Sequence, residues 1–254
     1  MDFKKIAIAL VGALTSSLSF GHDHLNLEHG IPLEIEDAYV TAYKNREFQG
    51  YIQYDRLDND KDKFLFVPRL EFGLLRNFQV DLATPFEFGD REKKESRNIE
   101  LGGLYNFNME TLWLPGISLG GGLYLPTGEG RRGVDTHVKL NLTKTLPIPV
   151  SFHRLHLNLD WNQNADPRKG ERNNGMKYVF GYQLRIGTDD FLVADYFYEE
   201  RREKNRETQM VELGWRHQLN PLTVIAGGAG AGVTDESPDY RVNVSFQRAL
   251  NLFY

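Results

Sequence analysis

From residue 47 onward the chain alternates apolar and polar positions in runs of about ten residues, the period-two signature of strands with a different environment on each face. Phe64, Phe66, Leu70, Phe72 and Leu74 share one parity, while Arg69 and Glu71 share the other with Val67. Phe78, Val80, Leu82, Phe86 and Phe88 then alternate with Gln79, Asp81 and Glu87, and Ile99, Leu101, Tyr105 and Phe107 with Asn98, Glu100, Gly102 and Asn106. The pattern returns with Val134, Val138, Leu140 and Leu142 against Asp135, His137, Lys139 and Asn141. It repeats with Leu155, Leu157, Leu159 and Trp161 against Arg154, His156, Asn158 and Asp160. A helix would scatter these charges around its axis, whereas a strand collects them on one side. About twelve such runs are present, starting near residues 47, 62, 78, 97, 117, 133, 152, 175, 191, 208, 222 and 240.

The connections between the runs fall into two alternating sets. One is polar and mostly long: residues 58–61, 89–97, 127–132, 162–174, 199–207 and 234–239. The other is less charged and mostly short: residues 76–77, 108–116, 145–150, 187–190 and 220–221. Transmembrane barrels sort their loops this way, long outside and short in the periplasm, and an even strand count puts both termini at the short-turn rim.

Alternation alone does not say which face points outward, since a small soluble barrel hides its apolar face inside. About twelve strands enclose more space than side chains fill, and the second face carries charges that are costly in a dry core. A wet, charged lumen with the apolar face in lipid solves both problems, and closure leaves no strand edge in hydrocarbon. The sequence therefore predicts an all-β fold, a closed antiparallel transmembrane β-barrel of about twelve strands. Aromatic residues near the ends of the runs, such as Tyr54, Phe78, Trp161 and Trp215, fit interfacial girdles. Glycines within runs, as in residues 226–232 (AGGAGAG), suit bends or close approach in a curved wall.

Composition changes this picture little. The mean hydropathy is -0.47, but a barrel meets lipid with only alternate residues, so low hydropathy does not exclude a membrane location. With 30 basic and 35 acidic residues the net charge is -5, which argues against nucleic acid as a partner. The first residues carry Lys4 and Lys5, then an apolar run over 6–14, then small residues over 16–21. That is the layout of a secretory signal, expected to be cut after Gly21, and the run is too short for the alternative of a spanning anchor. No cysteine follows it, so no lipoprotein is expected, and the chain has none elsewhere, which suits passage through an oxidising periplasm. The expected organisation is a signal peptide over 1–21, an N-terminal periplasmic segment over 22–46 and the barrel over 47–254. The segment carries Glu34, Glu36 and Asp37 and is expected to cap or enter the periplasmic mouth. At the other end, Val242, Val244, Phe246, Leu250, Leu252 and Tyr254 share one parity, like the C-terminal strand that barrel-assembly machinery reads. Arg248 interrupts it, so the strand is expected to stop near Phe246.

Several stretches resemble an outer-membrane family named for transport in the meta-pathway of phenol degradation. They are residues 30–50 (GIPLEIEDAYVTAYKNREFQG), 68–80 (PRLEFGLLRNFQV), 124–130 (YLPTGEG) and 142–147 (LTKTLP). The resemblance implies an outer-membrane location and a channel or transport role, and it carries no substrate with it.

Candidate chemistry follows from parity. The pore-lining candidates are Arg69, Glu71, Asp81, Glu100, Asp135, His137, Lys139, Arg154, His156, Asp160, Arg185, Glu212, Arg216 and Arg241. If these charges pair they close the lumen, and if they segregate they make a selective pore. No histidine has a serine two residues on, the pair a phospholipase-type barrel would need. His137 with Asp135, and His156 with Asp160, are possible lumen pairs, but no catalytic residue is assigned. Without a phosphate-binding glycine motif no cofactor is expected. Cleavage after Gly21 would expose His22 and His24, whose nitrogens with the new amine suit a square-planar Cu(II) or Ni(II) site. The leading expectation is a passive outer-membrane channel for a small-molecule solute, in contact with outer-membrane lipid and lipopolysaccharide. A non-conducting barrel with a salt-bridged lumen, in a binding or structural role, is the main alternative. A lipid-modifying enzyme is the third.

Overall fold

The computed structural model of the chain describes residues 25–57, 61–89, 98–127, 133–149 and 151–250. Thirteen strands run in order: β1 (Arg46–Leu57), β2 (Lys61–Leu75), β3 (Phe78–Ala83), β4 (Phe86–Gly89), β5 (Ile99–Asn108), β6 (Gly116–Leu125), β7 (Asp135–Leu146), β8 (His153–Gln163), β9 (Asn174–Arg185), β10 (Asp190–Glu200), β11 (Glu207–Asn220), β12 (Thr223–Gly232) and β13 (Tyr240–Ala249). Each pairs antiparallel with its neighbour, and β1 pairs with both β2 and β13, which closes the sheet on itself.

β3 and β4 together make one stave, so the barrel has twelve. The break falls at Thr84-Pro85: β3 bonds to β2 and β5, while β4 bonds to β2. Pro85 has no N–H for the ladder, and it lies near Pro68, a second proline within β2. The Thr84 N–H still reaches the Pro68 carbonyl at 3.1 Å, which holds the two halves of the stave in line.

The predicted parity holds around the wall. Ile52, Phe64, Leu74, Phe180, Leu213 and Val244 are exposed on the outside, whereas buried polar and charged side chains outnumber buried apolar ones inside. A water-soluble barrel would reverse this, so the fold is that of a wall meant for lipid. At the long-loop rim the rings of Tyr54, Phe64 and Tyr240 gather, with centroids 4.9 and 5.9 Å from Tyr54.

One end differs from expectation. β13 continues past Phe246 to Ala249, with Arg248 paired opposite Phe48 and Thr223. Arg248 points outward at the short-turn rim and donates to the Thr223 hydroxyl at 3.3 Å. A long basic side chain is tolerated there because its charged end stays in the polar interface while its stem covers apolar surface.

Candidate functional site

The lumen is not empty. Residues 25–45 leave the short-turn rim and fold back inside the barrel as a plug. Its core is a compact loop over 27–37, in which Leu27 donates to the Asp37 carboxylate at 3.1 Å and Asp37 donates to the Leu27 carbonyl at 3.0 Å. Irregular backbone at this depth needs partners for its polar groups, and the wall supplies them. The Ile35 N–H donates to Asp195 (3.0 Å), Glu36 to Asn158 (2.9 Å), Ala38 to Thr143 (2.9 Å) and Thr41 to Gln79 (2.7 Å). The plug carbonyls accept in turn from Asn106, Asn158, Gln183 and Asn243.

Shape matches as well as hydrogen bonding. Inward glycines leave room where the plug presses on the wall, most closely at Gly73, where a Cβ would stand 2.0 Å from the Ala42 carbonyl oxygen. A Cβ on Gly181 would stand 2.5 Å from Ile35, one on Gly214 2.6 Å from Pro32, and one on Gly228 2.5 Å from Leu33. Leu27, Leu33 and Ile35 bury themselves against Val179, Val193, Phe197 and Met210, an apolar patch in an otherwise polar lumen.

Charge fixes the third contact. Glu34 pairs with Lys177 at 2.5 Å and Arg241 at 2.6 Å, Glu36 with Lys139 at 2.7 Å, and Asp37 lies 3.8 Å from Arg154. Burial alone would raise the Glu34 carboxyl, but Lys177, His29 and Arg241 outweigh it and hold the group well below the usual carboxylate range. Glu36 is lowered in the same way, burial opposing and Lys139 prevailing. Glu28 goes the other way. Buried with no ion pair among the described residues, and facing Glu71, Glu36, Asp37 and Glu47, its carboxyl is pushed well above the ordinary value.

Above the plug, toward the long loops, a cavity of about 490 Å³ remains, floored by His29, Glu34 and Glu36. We call it the vestibule. At its rim Arg202 clasps two loops to the wall, donating to Asp135 (2.7 Å), to Glu171 (3.2 Å) and to Asn164.

The pore-lining candidates sort by depth. Arg154, His156 and Arg216 lie buried alongside the plug, and Arg216 donates to the Ile31 carbonyl at 3.4 Å. Glu71 accepts from the Thr41 hydroxyl at 3.1 Å. Arg69, Asp81, Glu100, Asp135, His137, Lys139, Asp160 and Arg241 line the vestibule. Glu212 is buried 3.7 Å from Arg241. Arg185 instead bonds the carbonyls of Gly187 and Thr188 at the short-turn rim.

Neither histidine pair forms. Asp135 is taken by Arg202 and by the Ala165 N–H, leaving His137 without it. His156 bonds Thr143 at 3.1 Å, because residues four apart along a strand stand roughly 13 Å from one another. Among the described residues no group of three or more His, Cys, Asp or Glu converges to hold a metal ion. His22 and His24, and the signal segment, lie outside the described residues. Sequence reasoning missed Glu47 and Asp55, although they share parity with Gln49 and Gln53 and so were findable. It also missed Arg202, whose partners come from distant loops and leave no local signal.

No family model matches the chain, and no curated protein is similar to it in sequence. Solved structures do match. The NanC porin superposes with a TM-score of 0.57 at 6% identity, covering 80% of this chain and 98% of that one. The KdgM porin gives 0.50 at 10% identity, again over 80% and 98%. The outer membrane protein Omp33 of Acinetobacter baumannii gives 0.50 at 8% identity, over 81% and 97%. At such identities the likeness is one of fold, and that fold is the closed twelve-stave barrel of outer-membrane proteins.

Proposed function

We propose that the chain is a multi-pass channel of the bacterial outer membrane that passes small solutes and is closed, in the state described, by its own residues 25–45. The observation that carries this reading is that a mostly polar lumen is filled on the short-turn side by an N-terminal segment held only through hydrogen bonds, ion pairs and packing. The fold shared with porins supports it. On this reading the long loops face outside and meet lipopolysaccharide, the plug enters from the periplasm, and the C-terminal strand serves assembly. The resemblance to the family named for the phenol meta-pathway belongs here too; one of its stretches, residues 30–50, is the plug together with the start of β1. We assign no catalysis.

The tight seating of the plug favours a second reading, a permanently closed barrel in a binding or structural role. Single-channel conductance of the refolded chain in a planar bilayer, beside a variant lacking residues 25–43, separates the two. The channel reading expects rare or no steps from the intact chain and frequent discrete steps from the variant. A variant that folds, shown by heat-modifiable gel mobility, and conducts nothing would leave the closed barrel standing.

A further inference from the structure

One group of charged side chains in the vestibule serves neither wall nor plug. Asp81 on β3, Gly102 on β5, Gly122 on β6 and His137 on β7 occupy a single row across four adjacent strands. The Asp81 carboxylate leans over Gly102, with Oδ1 2.5 Å from where a Cβ would stand. The His137 ring leans over Gly122, with Cε1 at 2.7 Å from the equivalent point. Since Gly102 and Gly122 are paired, the two side chains approach one another over a floor that carries no side chains of its own. Glu100 shares the parity of Gly102, and the ring of Tyr124 lies 5.0 Å from that of His137. In the next row Asp160 sits between Lys139 and Lys177.

The plug decides the charge balance. Glu36 occupies Lys139 and Glu34 occupies Lys177. Asp81, Glu100 and Asp160 are left with no ion pair within 4.0 Å among the described residues. Asp160 Oδ1 and His137 Nδ1 are buried without a hydrogen-bond partner, and the His137 residue is only 8% exposed. Carboxylates outnumber cations in the lining of the vestibule, although Arg69 Nε is itself a buried donor without a partner there. An anion finds the wrong sign there. A bare metal ion finds no converging set of ligands. An organic cation with N–H donors spread along its length fits the charge and can reach the two adjacent rows in which these groups stand.

We propose that the vestibule binds a small organic amine, its ammonium groups held by Asp81, Glu100 and Asp160 and by the free Nδ1 of His137. As the solute class of the channel this rests on the reading above; as a binding site it needs only the plugged barrel. Calorimetric titration of the full-length refolded protein with putrescine and spermidine tests it, with glutarate, glucose and magnesium ion as comparisons. Saturable amine binding is expected, weaker in high salt and about tenfold or more weaker in Asp81→Asn and in Asp160→Asn, as one charge-assisted hydrogen bond is lost. Glutarate and glucose should give no heat. Glutarate or magnesium ion binding as tightly as the amine, no amine binding at all, or amine binding unchanged in both variants would overturn the proposal. Heat-modifiable mobility confirms that each variant is folded. Amine binding by a barrel whose plugless variant never conducts would sink the channel and keep the site; conduction without amine binding would do the reverse.

Discussion

The two halves of the lumen solve one problem in opposite ways. Toward the short turns, wall and plug satisfy each other: backbone amides meet Asp195 and Asn158, carboxylates meet Lys139 and Lys177, and Leu33 fills the space left by Gly214 and Gly228. Toward the long loops the same wall, with the same alternation, faces a cavity and leaves Asp81, Glu100 and Asp160 with no ion pair among the described residues. A charged lumen-facing residue therefore means nothing by itself. Its role depends on whether a second segment comes to meet it. If the comparison is right, equivalent substitutions in the two halves have unequal costs, and even different signs.

The largest effect is expected from replacing Glu34 and Glu36 together by glutamine. That leaves Lys139 and Lys177 enclosed without their carboxylates, and breaking a buried pair from one side costs about 3–5 kcal/mol. The urea midpoint should fall, and the plug should become open to added protease. An unchanged midpoint with a protected plug would mean that the pairs are ornamental and the two halves alike.

Next comes the fit of Leu33, which is 3% exposed. Leu33→Ala should destabilise the barrel by about 2–4 kcal/mol, and Gly228→Val by about 1–3 kcal/mol because the added side chain takes the place of Leu33. Combining the two should cost less than the sum, since the smaller residue makes room for the valine. A strictly additive pair in the same urea titration would show that Leu33 and Gly228 do not share one space.

How much of this was legible in the sequence follows the same division. Parity and loop sorting placed the staves, with starts within about two residues, because the pleat is strictly period two and each face meets a different medium. The break at Thr84-Pro85 was not seen: Phe86 and Phe88 keep the parity of Phe78, and only the ladder registers the missing N–H. The acidity of Glu34, Glu36 and Asp37 was plain, yet their partners lie more than a hundred residues away on β7, β8, β9 and β13. Nothing local encodes that meeting. For the same reason Arg154 and His137 looked alike in sequence, although one ends beside the plug and the other above it.

A smaller effect concerns pH. Glu28 has an ordinary value of 4.5 that burial, then Glu71 and its other acidic neighbours, push well upward in the seated plug. A raised carboxyl supports the seated state fully below its released value and loses that support as pH climbs through the seated value. Glu34 acts in the opposite sense, its support being present above 4.5 and lost in acid as pH falls through its lowered value. Protease protection of the plug should therefore weaken in the natural chain as pH rises from 4.5 through the raised Glu28 value. Glu28→Gln, which cannot ionise, should flatten that limb and leave the acid limb in place. A variant with the same loss on rising pH would place the titrating group elsewhere.

The vestibule carboxylates should respond least, and with the opposite sign. Asp81 and Asp160 carry negative charge into the vestibule with no ion pair to return it, so neutralising either removes a burden rather than a contact. Asp81→Asn and Asp160→Asn should shift stability by no more than about 0.5 kcal/mol, and toward greater stability if toward anything. The opposite sign to the Glu34 and Glu36 pair, in the same barrel and the same titration, would identify the vestibule carboxylates as groups kept for something other than folding. A loss of several kcal/mol would instead mean that these carboxylates already neutralise the wall, through Arg69 or the two lysines, and that the upper half is as fully committed to structure as the lower.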